Sequence, residues 1–351
     1  FENLLFVMWA AVSIGRATDR LTAFKDVFQF AEYFLAAVLL VRHLVTEPVR
    51  LKRFVTWFLL VGTVVVAVGV VQYFQFDRPL LKVGATFGNR NVLGGFLALL
   101  LPLAFGMMLC ETCWGRRLWL AAVVAAGALL TLSGGTAVAL VCAVGLIAAL
   151  KSRRVLVLWL AGCVIFFALI VPHLPRDNGG ALFDSVAPFD ASGYPARRYP
   201  EWQAAAYAVM EQPWLGVGAG NYQQNIGMYY GVLPDATGPA EPDIQNLYLV
   251  LGVSLGLPGL AAFIAMLAGA AGTALRGVSA AKGPFTRGLA LGLAGSAIAF
   301  GINAVWSPLL VRGIGIPLAV VLTLPYCLHA EAKRTGGCGT SETAQPEKLS
   351  S

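Results

Sequence analysis

The residues best suited to chemistry in this sequence are a few arginines set among apolar and acidic neighbours. Arg197 and Arg198 lie in residues 173–245, where acidic residues outnumber basic ones. A guanidinium group binds phosphate through two parallel hydrogen bonds, which does not require a basic surrounding loop. The pair therefore indicates a phosphate-bearing ligand. The alternative is structural, an ion pair of Arg198 with Glu201 or another nearby acid.

A second polar segment, TFGNRN at residues 86–91, directly precedes an apolar run. Asn91 is expected to cap the helix that follows, because asparagine is a preferred N-cap residue. Capping does not account for Arg90, which is a candidate ligand-binding residue. Arg312 lies just inside the last apolar run, on the same predicted side of the membrane. We expect Arg198 and Arg312 to converge on one cavity with Arg90 nearby, because a phosphate-bearing ligand is bound by several charge-assisted donors.

A third polar segment, DIQNLYL at residues 243–249, leads into another apolar run. Gln245 and Asn246 are placed to cap that helix or to line a cavity. Glutamine cannot act as a general base, so any deprotonation falls to Glu241 or Asp243 just upstream or is not needed. The glycine-rich GVGAGN at residues 216–221 has no following Lys-Ser/Thr and no preceding strand pattern, so it predicts a turn and not a nucleotide loop.

The elements that position these residues must be membrane helices, because apolar residues dominate the chain. Of its 351 residues, 58% are hydrophobic and 12% charged, whereas soluble domains carry about 25% charged residues. Apolar runs that match a ~30 Å bilayer core predict an all-α integral membrane protein with about ten transmembrane helices. The predicted spans are residues 1–15, 27–45, 54–74, 91–110, 117–132, 134–150, 154–172, 246–272, 287–305 and 307–328.

The distribution of Lys and Arg orients these spans. The net charge of +7 does not indicate nucleic-acid binding, because the basic residues form short clusters between apolar runs. Most of them fall in alternate connections, which the positive-inside rule places in the cytoplasm. The chain then divides into N-terminal transmembrane helices (1–172), a large periplasmic loop (173–245), C-terminal transmembrane helices (246–328) and a disordered cytoplasmic tail (329–351). Because the chain begins at Phe1 inside an apolar stretch, we expect its first helix to be truncated.

Two further features concern single elements. Residues 198–211 predict a helix at the membrane face that stops before Pro213, with an apolar stripe of Trp202, Ala205, Ala206, Val209 and Met210. Apart from Glu2 at the start of the first run, Glu32 is the one acid inside a predicted span. Such residues are functional candidates by default, and pairing with a neighbouring helix is the alternative.

The order of the motifs resembles a known family. TFGNRN, then TLSGG at residues 131–135, then EQPWLGVGAGNY at residues 211–222, then QNLYL and GLPGL at residues 245–249 and 256–260 are similar to the O-antigen ligase and O-antigen polymerase superfamily. These are bacterial membrane glycosyltransferases, and the resemblance covers roughly residues 54–328. It implies a helical bundle in the bacterial inner membrane, with a periplasmic loop that carries short helices.

The resemblance also implies a reaction. A glycan moves from undecaprenyl pyrophosphate to a glycan or lipid acceptor, without metal or other cofactor, while arginines bind the pyrophosphate. Arg198 matches the arginine before the loop tryptophan, and Asn246 matches the motif asparagine. On this basis the predicted catalytic residues are Arg198, Glu241, Asp243 and Gln245. The predicted substrate-binding residues are Arg90, Arg197, Asn246 and Arg312.

The sequence departs from the family pattern at three places. Gln245 stands where ligases have a histidine, Ser254 stands where many members have an acid, and TLSGG lacks the arginine of TLSRG. Polymerase-type members vary more at these positions, so a transferase remains the leading interpretation. A non-catalytic relative that binds lipid-linked glycan or a partner enzyme is the first alternative. A transporter is the second, although the chain shows no matching halves.

Overall fold

The computed structural model describes residues 2–45, 47–75, 83–131, 133–165, 168, 198–230 and 244–337, with only the backbone for residues 198, 199, 311, 312 and 331–337. Every regular element in these ranges is helical. The helices are α1 (Glu2–Ser13), α2 (Arg20–Leu44), α3 (Pro48–Gln75), α4 (Arg90–Cys110), α5 (Trp114–Leu129), α6 (Gly134–Lys151), α7 (Arg153–Ile165), α8 (Arg198–Glu211), α9 (Tyr222–Tyr230), α10 (Leu247–Ala280), α11 (Pro284–Asn303) and α12 (Gly315–Gly337). The prediction of an all-α chain is thus confirmed for the part that the structure describes.

Six of these helices are long and apolar enough to cross a membrane, namely α2, α3, α4, α6, α10 and α11. Residues Gly315–Ala330 of α12 form a shorter apolar helix. The chain therefore has the character of a membrane protein with several spans. The count of about ten spans and the periplasmic placement of the large loop stay predictions.

The centre of the bundle is the contact between α4 and α11, and small residues make it close. A Cβ atom on Gly106 of α4 would lie 2.4 Å from the backbone nitrogen of Gly292 on α11, so no larger residue fits there. Small residues let helix backbones approach in membranes, where packing replaces the hydrophobic effect. Ser296 adds a buried hydrogen bond across the same contact, from its Oγ to the carbonyl oxygen of Leu99 at 2.6 Å. As a result, α4 is buried on nearly all sides.

The segments between helices that are rich in Lys and Arg meet at one end of the bundle, which we call the basic end. Lys151 at the end of α6 places its Nζ 3.1 Å from Cys110 Sγ at the end of α4. Lys52 Nζ lies 6.0 Å from the centre of the Phe285 ring at the start of α11. The basic clusters that the sequence places on one side of the membrane therefore share one side of the fold. Their cytoplasmic location stays a prediction.

Helix α10 is broken at Gly256, which has φ 70° and ψ −178°. Its first segment, residues 247–255, packs with α8 and α9 around an apolar cluster of its own, separate from the main core. The cluster contains Ala204, Ala205, Ala208, Val217, Tyr222, Ile226, Tyr229, Tyr230, Ile244, Val250 and Val253. The short helices of the large loop are therefore anchored on the first segment of α10.

The predicted helix over residues 198–211 is confirmed as α8, but the prediction of its apolar stripe is partly wrong. Ala204, Ala205 and Ala208 are buried, whereas Ala206 and Met210 are exposed. The helix contacts α10 through its small residues because these permit close packing. Val209 packs beside these alanines, whereas Tyr207 and Met210 are exposed.

Candidate functional site

The TFGNRN segment begins α4 at the end of the bundle opposite the basic end. A short 3₁₀ turn over Ala85–Phe87 leads to Gly88 in the left-handed region, with φ 65°. Asn89 Oδ1 then accepts hydrogen bonds from the backbone N–H groups of Asn91 at 2.8 Å and Val92 at 3.4 Å. The prediction that Asn91 caps this helix is therefore wrong. Asn89 has the extended backbone of an N-cap residue, and Asn91 lies inside the first turn.

The QNLYL segment begins α10 at the same end. Asn246 is buried and caps the helix, because its Oδ1 accepts from the N–H groups of Tyr248 at 2.9 Å and Leu249 at 3.2 Å. The backbone N–H of Leu247 donates to the carbonyl oxygen of Ala304 at 2.8 Å, and Tyr248 Oη donates to that of Gly301 at 2.7 Å. The start of α10 is thus tied to the end of α11.

The TLSGG segment reaches the same place from α6. A Cβ atom on Gly135 would lie 2.7 Å from Trp306 Cβ, so the glycine permits a close approach to the chain that follows α11. Thr136, the next residue, is fully buried and donates from its Oγ1 to Asn303 Oδ1 at 3.2 Å. Gly135 of this motif therefore serves packing, and Thr136 joins the motif to the end of α11.

These helix ends enclose a small polar cleft, which we call the motif-end cleft. Its volume is about 30 Å³, and it is lined by Asn89, Asn91, Val92, Gln245, Ser307, Pro308 and Leu309. Asn91 Nδ2 lies 3.5 Å from Gln245 Oε1, the outer limit of a hydrogen bond. Ser307 is 1% exposed, and its Oγ has no hydrogen-bond partner among the described residues. The cleft has room for roughly two water molecules, so it is a polar floor that a ligand can contact and not a pocket that encloses a sugar.

The predicted charged residues are described by the structure to different degrees. Arg90 is the half-buried first residue of α4, between the cleft residues Asn89 and Asn91. Arg312 ends the 3₁₀ helix that starts at the cleft residue Leu309. Arg198 starts α8, and the structure describes only the backbone of Arg198 and Arg312. Their convergence therefore stays a prediction. Arg197, Glu241 and Asp243 lie outside the described residues.

The loop after α8 forms a second feature, the helix-break junction, which consists of residues 213–217 and 253–257. In an unbroken helix the Leu257 N–H would donate to the Val253 carbonyl oxygen. Here that oxygen accepts from Val217 N at 2.8 Å, and Leu257 N donates to the Pro213 oxygen at 2.7 Å. The loop therefore provides a partner for both the acceptor and the donor of the missing helical hydrogen bond. The Leu255 oxygen accepts from Trp9 Nε1 at 2.9 Å.

Glycines make the junction possible. Gly256 and Gly216 both have positive φ, and a Cβ atom on them would lie 2.2 Å from the Trp214 oxygen and 2.3 Å from the Val253 oxygen respectively. A Cβ on Gly220 would lie 2.7 Å from Asp26 Oδ2 on α2. GVGAGN is therefore a turn packed against other helices, which agrees with its interpretation from sequence. Sequence analysis missed Asp26 because the predicted span began at residue 27, whereas α2 begins at Arg20.

The same loop is tied to the start of α2. Asn221 Oδ1 accepts from the backbone N–H of Asp19 at 2.8 Å, and its Nδ2 donates to the Asp19 carbonyl oxygen at 3.1 Å. Asp19 caps α2, and hydrogen bonds from the Thr22 side chain and backbone hold the pKa of its carboxyl below the usual value. On α9, burial and then the nearby Glu211 raise the pKa of Tyr229 to about 12. Both groups keep their ordinary charge at neutral pH.

Two acids weighed from sequence have clear positions. Glu201 is buried on α8, one turn after Arg198. Its ion pair with Arg198 stays open as the structural alternative. Glu32 is exposed on a π-helical stretch of α2, Glu32–Ala37. Among the described residues, no group of three or more His, Cys, Asp or Glu side chains is arranged to hold a metal ion.

Residues 119–264 match a family model described as O-Antigen ligase. The matched region includes TLSGG, α8, the helix-break junction and the start of α10. The resemblance to the O-antigen ligase and polymerase superfamily is thereby confirmed over these residues. No curated protein matches the chain.

Proposed function

We propose that this protein transfers a glycan from undecaprenyl pyrophosphate to a glycan or lipid acceptor, as O-antigen ligases and polymerases do, in a bacterial inner membrane. The observation that carries the proposal is the contact of Asn91 with Gln245, 154 residues apart in sequence. It joins the TFGNRN motif to the QNLYL motif within one cleft. Contact between segments that the family resemblance had singled out separately supports a shared site.

The electrostatics of this end suit a pyrophosphate. Helices α4, α6 and α10 all begin here, and a helix N-terminus carries a partial positive charge that favours anions. Arg90 adds a full positive charge at the first residue of α4. In the proposed reaction the bond between the sugar C1 and the pyrophosphate oxygen breaks, and the lipid pyrophosphate leaves with its negative charge. Arg90, Arg198 and Arg312 would stabilise that charge.

The acceptor side of the reaction needs a different set of groups. The acceptor hydroxyl attacks the sugar C1 and gives up its proton. Gln245, Asn91 and Ser307 carry amide and hydroxyl groups that orient a sugar hydroxyl by hydrogen bonding. None of them takes the proton, so we assign that step to Glu241 or Asp243.

A second candidate function has one specific observation in its favour. Gln245 occupies the place of the ligase histidine and contacts the Asn91 amide, which is an arrangement for binding and not for proton transfer. A non-catalytic relative would hold lipid-linked glycan at this end without cleaving it. The arginines would then serve binding alone.

The deciding experiment is complementation of a strain that lacks the gene, read as long-chain glycan on a gel. We expect Arg198→Ala to reduce transfer by about 100-fold or more, because one preorganised electrostatic donor is lost. Gln245→Ala should reduce it about tenfold at most, since it removes only hydrogen bonding. Arg154→Ala is the matched control, because Arg154 is exposed at the start of α7 near the basic end.

The amount of each variant in the membrane must be equal for the comparison to hold. Loss of glycan transfer in Gln245→Ala together with normal transfer in Arg198→Ala would reverse the assigned roles. A deletion that leaves the glycan unchanged, with no effect of either substitution, would favour the non-catalytic candidate.

A further inference from the structure

A groove at the basic end lies far from the motifs and has no part in the proposed glycan transfer. It has a volume of about 340 Å³ and runs between α3 and α5. Its lining residues are Val49, Lys52, Arg53, Thr56, Trp57 and Leu60 of α3 and Arg116 of α5. We call it the basic-end groove.

The groove carries three positive charges and no carboxylate. Lys52, Arg53 and Arg116 all line it, and Glu47, which precedes α3, forms an ion pair with Arg50 at 3.5 Å and does not line the groove. Like charges that line one space repel each other unless an anion lies between them. An anion bound in the groove would remove that repulsion and accept several charge-assisted hydrogen bonds.

The apolar part of the groove continues from the charged part along one face of α3. Arg53, Trp57 and Leu60 follow at helical spacing, so Trp57 and Leu60 lie roughly 6 and 10 Å further along the helix axis. Trp57 is 67% exposed and Leu60 is 39% exposed. Tryptophan favours the level of the lipid headgroups and leucine the hydrocarbon below it. Charge, aromatic ring and aliphatic side chain therefore follow one another as the phosphate, glycerol and acyl chain do in a phospholipid.

We propose that the basic-end groove binds an anionic glycerophospholipid, with its phosphate among Lys52, Arg53 and Arg116 and one acyl chain along Trp57 and Leu60. Basic pockets between membrane helices on the cytoplasmic side are suited to such headgroups. A larger cleft at the same end, about 440 Å³ and lined in part by Lys151, Lys282 and Arg287, includes the carboxylate of Glu111 and no aromatic residue. That cleft lacks the apolar continuation, so the lipid is assigned to the groove.

The test measures binding of phosphatidylglycerol to the purified full chain in detergent by native mass spectrometry. We expect R53Q/R116Q to weaken binding about 30-fold, because each basic residue contributes roughly a fivefold factor near a membrane surface. R153Q/R154Q is the matched control, since it removes two exposed arginines near the same end that do not line the groove. It should weaken binding less than about threefold, and R53K/R116K should retain most of the affinity because both positive charges are kept.

Four further arms separate a lipid from a free anion and guard against misfolding. Phosphatidylcholine and glycerol 3-phosphate should each bind at least about tenfold more weakly than phosphatidylglycerol, because one lacks the net charge and the other the acyl chains. W57A should weaken phosphatidylglycerol binding severalfold. If R53Q/R116Q does not fold, R116Q alone should weaken binding about fivefold.

Several outcomes would overturn the proposal. Equal losses in R53Q/R116Q and R153Q/R154Q would mean that lipid binds the basic surface as a whole. Glycerol 3-phosphate that binds as tightly as the lipid would make the groove an anion site only. If W57A binds phosphatidylglycerol as tightly as the wild type, the acyl chain does not lie in the groove.

Discussion

The helix-break junction and the motif-end cleft lie at opposite ends of the same helical segment, residues 247–255, yet they are held together in different ways. The junction is built from backbone, with two hydrogen bonds of 2.8 and 2.7 Å between residues 213–217 and 253–257. The cleft joins its two motifs through side chains, with Asn91 Nδ2 3.5 Å from Gln245 Oε1, and it contains a buried Ser307 hydroxyl that has no partner in the described part of the chain. The junction replaces the missing helical hydrogen bond, whereas the cleft keeps one hydroxyl that is unpaired among the described residues.

The difference indicates what each end is for. A glycine-dependent junction whose backbone hydrogen bonds replace the lost helical bond contributes stability and fixes the direction of the segment. A cleft with a buried hydroxyl that has no partner among the described residues is less stable than it would be if that hydroxyl were paired, and a ligand can provide the missing partner. Substitutions at the junction should therefore act on folding, and substitutions at the cleft should act on glycan transfer. The predictions below test this contrast.

The largest effect is expected from Gly256→Ala. The φ and ψ angles of Gly256 are accessible almost only to glycine, and the new Cβ would lie 2.2 Å from the Trp214 carbonyl oxygen. We expect a loss of about 3 kcal/mol or more, seen as a lower thermal midpoint of the purified protein and less protein in the membrane. Gly272→Ala is the control in the same helix, because nothing lies within 4 Å of its added Cβ. Similar midpoints for the two variants would contradict the role of the break.

A smaller effect is expected from Trp9→Phe. This change removes the N–H that Trp9 donates to the Leu255 oxygen at 2.9 Å and leaves a carbonyl near the break without that partner. The free energy of unfolding should fall by about 1–2 kcal/mol. Trp114→Phe is the comparison, since Trp114 is 73% exposed and should change stability by less than about 0.5 kcal/mol. If the two changes have the same effect, the Trp9 hydrogen bond adds nothing to the junction.

Two buried serines test the other half of the contrast. Ser296→Ala removes a hydrogen bond of 2.6 Å to Leu99 and should cost about 1 kcal/mol. Ser307→Ala removes a hydroxyl that has no partner among the described residues, so stability should stay within about 0.5 kcal/mol or rise. Thermal midpoints measure both, and the complementation assay should show reduced transfer for Ser307→Ala. A large loss of stability in Ser307→Ala would mean that the cleft is as tightly satisfied as the junction.

The smallest effect concerns pH and the attachment of the junction loop to α2. Hydrogen bonds from Thr22 lower the pKa of Asp19 in the folded protein, so its stabilising contribution is present above the unfolded pKa and is lost as pH falls through the folded value. Asp19→Asn keeps a good N-cap residue but does not titrate. The difference in thermal midpoint between wild type and Asp19→Asn should be constant from pH 7 to 5 and should shrink below about pH 4. A difference that grows on acidification would reverse the sign of this argument.

The candidate site was predictable in outline, and its details were not. Gln245, Asn246 and Arg90 were singled out as polar residues beside apolar runs, and all three lie at the motif end of the bundle. Asn89 was passed over in favour of Asn91, because both are good caps and only the turn at Gly88 decides between them. Ser307 carries no local signal, since a serine after an apolar helix is commonplace until its burial is known. The arrangement of Arg198 and Arg312 around the cleft stays a prediction.

The sequence by itself determined the membrane class, the helical content, the end of α8 before Pro213 and the family match. These follow from local patterns, because a helix in a membrane satisfies its own backbone hydrogen bonds and needs only a long enough apolar run. The tertiary structure alone decided that α10 breaks at Gly256, that Trp9 and residues 213–217 satisfy the break, and which face of α8 is buried. Each of these depends on atoms brought together from distant parts of the chain. Close packing selects those contacts, and no local pattern of residues records them.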